Sequence, residues 1–338
     1  MLRSTCARIF NWGGKQLNVS PSNIILITGC DSGLGYALSV FCHSLNMTVI
    51  SACHNIKSNG ARALQNLNDS KRIITIELDL LKPDTIRNAQ HKLKELIDNN
   101  PDYKLTALVN NAGTMCFGEY EWQTWKQIEM QINVNLLGTL RLTKELLPIV
   151  RQHHSRIINI TSHCSLMALP SLSPYAASKA GLKFWNDALR IEMQKYGVEV
   201  INFVPGSFVM SSNIAARQQD QAKEMAANFS IEQHKFYDDY FRRFNEHLKI
   251  ISGFKPPNQM QDEELLKKFE HALTNSQPKS LYIHEPLRYK IYRLLSQWCP
   301  PVIMDFLIVK FVNMPTYHQP SEEERQPVKT KSLKVDGS

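Results

Sequence analysis

The chain has 338 residues, 43% of them hydrophobic and 21% charged, with a formal net charge of +8 and a pI near 9.0. That composition supports a sizeable core and excludes global disorder, and the length fits one large α/β unit with an appendage. The basic residues are scattered rather than clustered with aromatics, so the excess charge points to an anionic cofactor or membrane surface and away from a nucleic-acid partner.

Residues 1–22 form a lead-in with Arg3, Arg8 and Lys15, no acid before Asp31, and none of the apolar run of a secretory signal. It reads either as a mitochondrial presequence or as an amphipathic or disordered segment. The 7 cysteines show no CxxC and no Cys/His zinc spacing, so no metal site is expected and a reducing intracellular compartment is the simplest reading. No stretch approaches the ~20 apolar residues of a spanning helix.

The first apolar run, Ile24–Thr28, reads as a buried strand. Thr28-Gly29-Cys30-Asp31-Ser32-Gly33-Leu34-Gly35 follows it and opens a helix over Leu34–Leu45. Glycines there remove Cβ atoms where the backbone must turn tightly and approach a pyrophosphate. The helix N-terminus adds free N–H groups and the positive end of its dipole. Further strands are expected at Thr48–Ala52, Ile73–Asp79, Ala107–Asn110, Arg156–Thr161, Glu199–Val204 and Ser280–His284. Most are near-continuous apolar runs, as in strands buried on both faces of a parallel sheet. Between them, Asp84–Asn99 and Trp122–Val150 read as helices. The alternation predicts an α/β fold, a Rossmann-type doubly wound parallel sheet of about seven strands with helices on both faces and a C-terminal helical extension.

Tyr175-Ala176-Ala177-Ser178-Lys179 places tyrosine and lysine on one face of a helix. A tyrosine with a pKa of ~10 is a poor base at neutral pH. A neighbouring ammonium favours the phenolate, as does the positive ring of an oxidised nicotinamide. Lowering the pKa by ~2–3 units takes about 3–4 kcal/mol, within reach of close charges in a partly desolvated cleft. A tyrosine so tuned could take a proton from a substrate hydroxyl and return it in the reverse direction.

Residues 23–285 read as one catalytic domain, including a lid at about 208–255 that is rich in Phe and Tyr. The extension at 286–319 carries Leu294, Leu295, Trp298, Ile303 and Phe306 among Arg288, Lys290, Arg293 and Lys310, and Pro300-Pro301 breaks it in two. It suits peripheral membrane contact, or packing on the protein's own core or a partner copy. The tail at 320–338 is charged and expected to be disordered.

The spacing G-x-x-x-G-x-G at Gly29–Gly35, then Asp79, Asn110-Asn111-Ala112-Gly113 and the YxxxK of Tyr175 and Lys179, resemble the short-chain dehydrogenase/reductase family over about Asn23 to His284. The resemblance implies a nicotinamide dinucleotide held by Thr28, Gly29, Asp31, Ser32, Gly33, Leu34 and Gly35. Asp79 and Leu80 would serve its adenine end, followed by Asn111, Ala112 and Gly113; Tyr175, Lys179, Pro205, Gly206 and Phe208 would serve the nicotinamide end. It also implies a catalytic set of Asn135, Ser162, Tyr175 and Lys179, with Ser162 on the substrate oxygen and Asn135 holding a proton-relay water. Met210 stands where the family's loop commonly has threonine, with Ser211 or Ser212 as substitutes, and Ser165 replaces a common glycine.

NAD is favoured over NADP: Ala52-Cys53-His54-Asn55 offers neither acid nor arginine, and Ser32 stands where NADP enzymes often have a basic residue, although Lys57 could reach a phosphate. The glycine loop and the Pro278–Tyr282 phrase resemble the branch that contains retinol, hydroxysteroid and 3-hydroxybutyrate dehydrogenases, and the whole chain is similar to enzymes of ecdysteroid synthesis. A lipophilic alcohol or ketone is therefore the expected substrate, at an endoplasmic-reticulum surface or in mitochondria. The alternatives are a small hydroxy acid, for which Arg217 or Arg242 would supply the positive charge, and a cofactor-binding scaffold without turnover. A homo-oligomer through the helices after strands four and five is the family's expectation.

Overall fold

Seven strands lie parallel in one sheet of order β3-β2-β1-β4-β5-β6-β7 in the computed structural model, which describes residues 14–67, 71–206 and 209–318. The strands are β1 (Asn23–Thr28), β2 (Thr48–Cys53), β3 (Ile73–Glu77), β4 (Lys104–Asn110), β5 (Arg156–Ile160), β6 (Glu199–Val204) and β7 (Leu281–Ile283). Each residue of β1, β2 and β5 is buried, which the unbroken apolar runs require. Alternate residues of β1 serve two cores, Ile25 and Ile27 on one face, Ile24 and Leu26 on the other. Each fully buried isoleucine contributes about 1.5–3 kcal/mol.

Helices α1 (Gly33–Ser44) and α2 (Asn59–Asn66) cover the first face with α9 (Glu263–Thr274). On the second face lie α3 (Pro83–Asp98), α5 (Thr139–Gln152) and α6 (Ser173–Gln194). The chain turns outward in opposite directions from the neighbours β1 and β4, and the crevice where the order reverses is where such sheets bind ligands.

The expected single helix over Trp122–Val150 is instead three pieces: α4 (Trp125–Ile132), a π-helical stretch Asn133–Gly138, and α5. Thr124 and Gln127 form a capping box that starts α4. Trp122 stays outside the helix, buried in edge-to-face contact with Tyr237, Tyr240, Phe241 and Phe244 at 5.1–5.6 Å. Those rings belong to α8 (Ile231–His247), which follows α7 (Gln218–Ala227) in the segment read as a lid. β3 also ends earlier than expected, leaving Asp79 and Leu80 in a loop pinned by Thr85 Oγ1, which donates to the Asp79 carbonyl at 2.7 Å.

The C-terminal extension folds as α10 (Leu287–Leu295) and α11 (Pro301–Val312), broken where Pro300-Pro301 stands. The residues 1–13 and 319–338, and with them most of the lead-in and the acidic-basic tail, lie outside the described residues.

Candidate active site

A cavity of about 600 Å³ opens at the C-terminal ends of β1, β2 and β4. Its floor is the glycine turn. Gly29 has φ +71°, and a Cβ there would meet Ala112 Cα at 2.8 Å; a Cβ on Gly35 would meet the Gly29 carbonyl at 2.2 Å. Ser32 stands at the N-cap of α1 without a side-chain cap, so the first N–H groups of α1 remain for an anion. A turn that only glycine fills, above an uncapped helix start, fits the pyrophosphate of a dinucleotide.

Of the residues expected to hold that dinucleotide, Gly29, Asp31, Ser32, Gly33, Leu34, Gly35, Asp79, Leu80, Asn111, Ala112, Gly113, Tyr175 and Lys179 line this cavity. Thr28 does not. It is buried, and its Oγ1 accepts from the N–H groups of Asn111 at 3.0 Å and Ala112 at 2.9 Å, joining the end of β4 to β1. Asn111 completes the seam by donating to the Thr28 carbonyl at 2.8 Å. Pro205 and Gly206 line a second cavity described below, and Phe208 lies outside the described residues. Ser212 takes a place near the loop: its Cβ is 2.9 Å from where a Gly33 Cβ would stand.

Sequence reasoning missed His54, which lines the cavity at the end of β2 with Nε2 3.8 Å from Asp79 Oδ2. It also missed how Asp31 reaches that end. Its two carboxylate oxygens accept from the backbone N–H groups of His54 at 2.7 Å and Asn55 at 3.0 Å. A carboxylate therefore occupies the end of β2, although the strand itself supplies none.

Tyr175 and Ser162 meet on the other side of Ala112 and Gly113. Ser162 and Tyr175 line one cavity together, and Ser162 Oγ accepts from the Cys164 N–H at 3.2 Å. Lys179 Nζ donates to the Ile160 carbonyl at 3.0 Å and sits 6.0 Å from the centre of the Tyr175 ring. Both side chains are buried. Burial pushes the Tyr175 phenol above its usual value, opposed only in part by the Ser162 hydroxyl. In the protein without cofactor, burial therefore dominates over the lowering expected from the neighbouring lysine. Burial also pushes the Lys179 ammonium down to about 8.

Asn135 lies in the π-helical stretch, wholly buried and outside both cavities. Its Oδ1 accepts from the Thr114 N–H at 2.7 Å, and its Nδ2 donates to the Thr114 carbonyl at 2.9 Å and to Ser178 Oγ at 3.0 Å. The side chain ties the turn after Gly113 to the helix that carries Tyr175 and Lys179. An i→i+5 widening at a functional site is a common use of π geometry.

The second cavity, of about 230 Å³, adjoins Ser162 and Tyr175 and is walled by Met115, Leu169, Leu172, Val209 and Ile214. The C-terminal extension closes it with Tyr289, Phe311 and Val312. No signal in the sequence placed the extension here. Arg288, the charged residue on this wall, donates to the Phe311 carbonyl at 2.7 Å and lies over the Phe311 ring at 4.6 Å. Arg217 lines the larger cavity, whereas Arg242 is at the surface on Asp239 at 2.8 Å. Among the described residues no cluster of His, Cys, Asp and Glu could hold a metal ion.

Comparison with known proteins agrees with this geometry. The sequence model of the short chain dehydrogenase family matches residues 23–223. The mitochondrial D-beta-hydroxybutyrate dehydrogenase of Mus musculus is 32% identical over 280 residues, 81% of this chain and 80% of that protein. Estradiol 17-beta-dehydrogenase 2 of Mus musculus is 30% identical over 324 residues, 94% of this chain and 82% of that protein. Retinol dehydrogenase 7 of Rattus norvegicus is 33% identical over 301 residues, 87% of this chain and 90% of that protein. The chain therefore belongs to the short-chain dehydrogenase/reductase family and is an oxidoreductase of alcohol and carbonyl groups.

Proposed function

We propose that the protein interconverts a lipophilic alcohol, steroid-like or retinoid-like, and its carbonyl compound, using NAD. The observation that carries the substrate class is the small cavity beside Ser162 and Tyr175: its walls are aliphatic and aromatic, and its cation, Arg288, is already committed to the Phe311 carbonyl and ring. The named activities of the relatives, on estradiol and retinol, support the same class. A small hydroxy acid is the second reading, favoured by the hydroxybutyrate relative and by Arg217 on the larger cavity.

NAD is favoured by Asp31. Held at the end of β2 by two backbone N–H groups, and with Asp79 nearby, its carboxylate would repel a 2′-phosphate and accept a ribose hydroxyl. When bound, the oxidised cofactor supplies a hydride acceptor with positive charge. Ser162 donates a hydrogen bond to the substrate oxygen. Tyr175 takes the hydroxyl proton as hydride departs and returns it in the reverse direction. Lys179 supplies a buried positive charge below the tyrosine, and Asn135 fixes the turn and helix that bring Gly113 and Lys179 together.

The extension also supports peripheral attachment to an intracellular membrane, of the endoplasmic reticulum or the mitochondrion. Trp298 is 86% exposed, Val302 81%, Phe306 69% and Val309 67%, beside Lys310. Among the described residues no helix is long and apolar enough to cross a membrane. Trp125 on α4 and Phe184 and Ile191 on α6 are likewise exposed, which supports association with a second copy across those helices. Nicotinamide absorbance with NAD or NADP and a panel of steroids, retinol and 3-hydroxybutyrate tests the assignment. Turnover of a steroid or retinol with NAD is expected; turnover of hydroxybutyrate alone overturns the lipophilic reading.

A further inference from the structure

His163 follows Ser162 and begins the short turn His163–Ser165. Its ring is buried, and Nε2 lies 2.9 Å from Glu285 Oε2, with side chains only 5% and 7% exposed. Burial, the largest influence, lowers the pKa of the imidazole, and because a carboxylate oxygen only accepts, Nε2 carries the proton and donates to Glu285. Glu285 is gripped in turn by Arg293 of α10, whose Nη2 and Nε donate at 2.6 and 3.1 Å. One turn before Arg293 on the same face of α10, Tyr289 packs its edge against the His163 ring at 4.9 Å and also lines the small cavity.

A buried carboxylate with a guanidinium on one side needs no histidine to balance its charge. The imidazole instead uses the remaining lone pair, and a one-proton donor in a fixed ring constrains direction more than it adds energy. The turn that it constrains is small. Cys164 N–H donates to Ser162 Oγ at 3.2 Å, and the N–H groups of Leu166 and Met167 both donate to the His163 carbonyl at 2.8 and 2.9 Å. A shift of His163 therefore moves the Ser162 hydroxyl and the amides around it together.

We propose that His163 is a positioning residue: through Glu285 and Arg293 it fastens the turn bearing Ser162 to the C-terminal extension, so that the serine is aimed only when α10 is docked. This rests on the reading of Ser162 as the group that meets the substrate oxygen. The extension is then more than a wall of the cavity. Whatever displaces α10, a membrane surface included, also loosens the serine.

The test uses the full chain saturated with NAD and the variants His163→Ala, Arg293→Ala, Arg293→Lys and the His163→Ala/Arg293→Ala double variant. Two readouts are taken. Amide exchange over residues 162–167 should rise about tenfold in Arg293→Ala and return most of the way in Arg293→Lys, which keeps one charged donor. kcat should fall about tenfold or more in each alanine variant with KM for NAD within about twofold, and the double variant should lose no more than the worse single one. Unchanged exchange over 162–167 in Arg293→Ala, or multiplying losses in the double variant, overturns the proposal. The exchange readout needs no substrate: a parent protein that turns over nothing refutes the assigned reaction, while exchange still decides whether Arg293 controls the turn.

Discussion

Lys179 Nζ is held on the Ile160 carbonyl at 3.0 Å, and its distance from the centre of the Tyr175 ring is 6.0 Å. The lysine is thus a fixed cation, anchored to the end of β5, rather than a mobile partner of the phenol. Burial pushes it down to about 8 while pushing the phenol up, so each charged form is disfavoured by the protein alone. On the proposed mechanism, the positive ring of a bound oxidised nicotinamide would tip the tyrosine toward its charged form.

Tyr175→Phe removes the oxygen proposed to transfer the proton and leaves the ring that packs with Met115 and Leu172. Turnover should fall by about 10²–10⁴-fold, the contribution of a positioned acid/base group. Dinucleotide affinity, read by quenching of protein fluorescence, should stay within about threefold, since the glycine turn and α1 are untouched. Residual turnover above a tenth of the parent's would remove Tyr175 from its role.

The lysine carries a stability cost whose sign is fixed. Below about 8 it is protonated in both the folded and the unfolded chain, so burial of the charge is felt in full. Between about 8 and the ordinary value of 10.5 the unfolded chain binds the proton more tightly, and stability rises with pH. Lys179→Met should therefore raise the stability of the cofactor-free protein at neutral pH, by on the order of 1–3 kcal/mol once the lost bond to Ile160 is counted. It should also flatten that rise while turnover collapses. Thermal unfolding across this pH range is the measurement. A variant less stable than the parent at neutral pH contradicts the buried-cation account.

Thr28 is the hinge of the cradle although it touches no cavity. Thr28→Val keeps the shape and deletes the acceptor for two N–H groups, those of Asn111 and Ala112. An unsatisfied buried donor costs about 1–3 kcal/mol, so a loss of roughly 2–4 kcal/mol is expected, and Thr28→Ser should recover most of it. Urea unfolding of the two variants separates this from a role in ligand contact: if serine recovers nothing, the methyl group rather than the hydroxyl matters.

The glycines of the cleft should not respond alike. A Cβ on Gly35 meets the backbone carbonyl of Gly29 at 2.2 Å, which cannot give way without opening the turn. A Cβ on Gly113 meets the side-chain oxygen of Asn135 at 3.2 Å and Lys179 Nζ at 3.5 Å, both of which can shift by tenths of an ångström. Gly35→Ala should abolish measurable dinucleotide binding. Gly113→Ala should bind within about tenfold of the parent, a loss of up to ~1.4 kcal/mol, and lose turnover instead. Titration with reduced dinucleotide decides; equal losses of affinity in the two variants would refute the distinction.

The parallel sheet, the glycine turn and the placement of Tyr175 and Lys179 on one helix were legible because each depends on local pattern: continuous apolar strands, glycine where a Cβ cannot stand, and a four-residue spacing along one helix. What was not legible depends on long-range meeting. Asp31 serves the end of β2 across 23 positions of sequence, and Glu285 finds His163 across 122. Neither pairing leaves a periodic trace. The π-helical stretch within the predicted Trp122–Val150 helix ends at Gly138, which passes so close to Leu80 that a Cβ would stand 2.7 Å from the leucine's own, a long-range contact that periodicity does not show. The upward push on Tyr175 in the protein without cofactor was not legible for a related reason: a charge four residues away is visible in sequence, whereas the burial of the pair is not.

The extension offers a test in which wall and surface can be separated. Truncation at Pro286 would remove Tyr289 and Phe311 from the small cavity together with the exposed face, so any loss would be ambiguous. Trp298 and Phe306 are exposed and belong to neither cavity. Exposed side chains of this size contribute about 1.5–3 kcal/mol each when buried in an apolar phase. Trp298→Glu/Phe306→Glu should lower binding to vesicles containing anionic lipid by about 100-fold or more. Turnover of a water-dispersed substrate should be unchanged, because Tyr289 and Arg293 keep their places. Flotation with vesicles measures the first and nicotinamide absorbance the second. If the double variant floats like the parent, the exposed face is not the membrane contact. If it loses turnover in free solution as well, the face is structural and packs against protein.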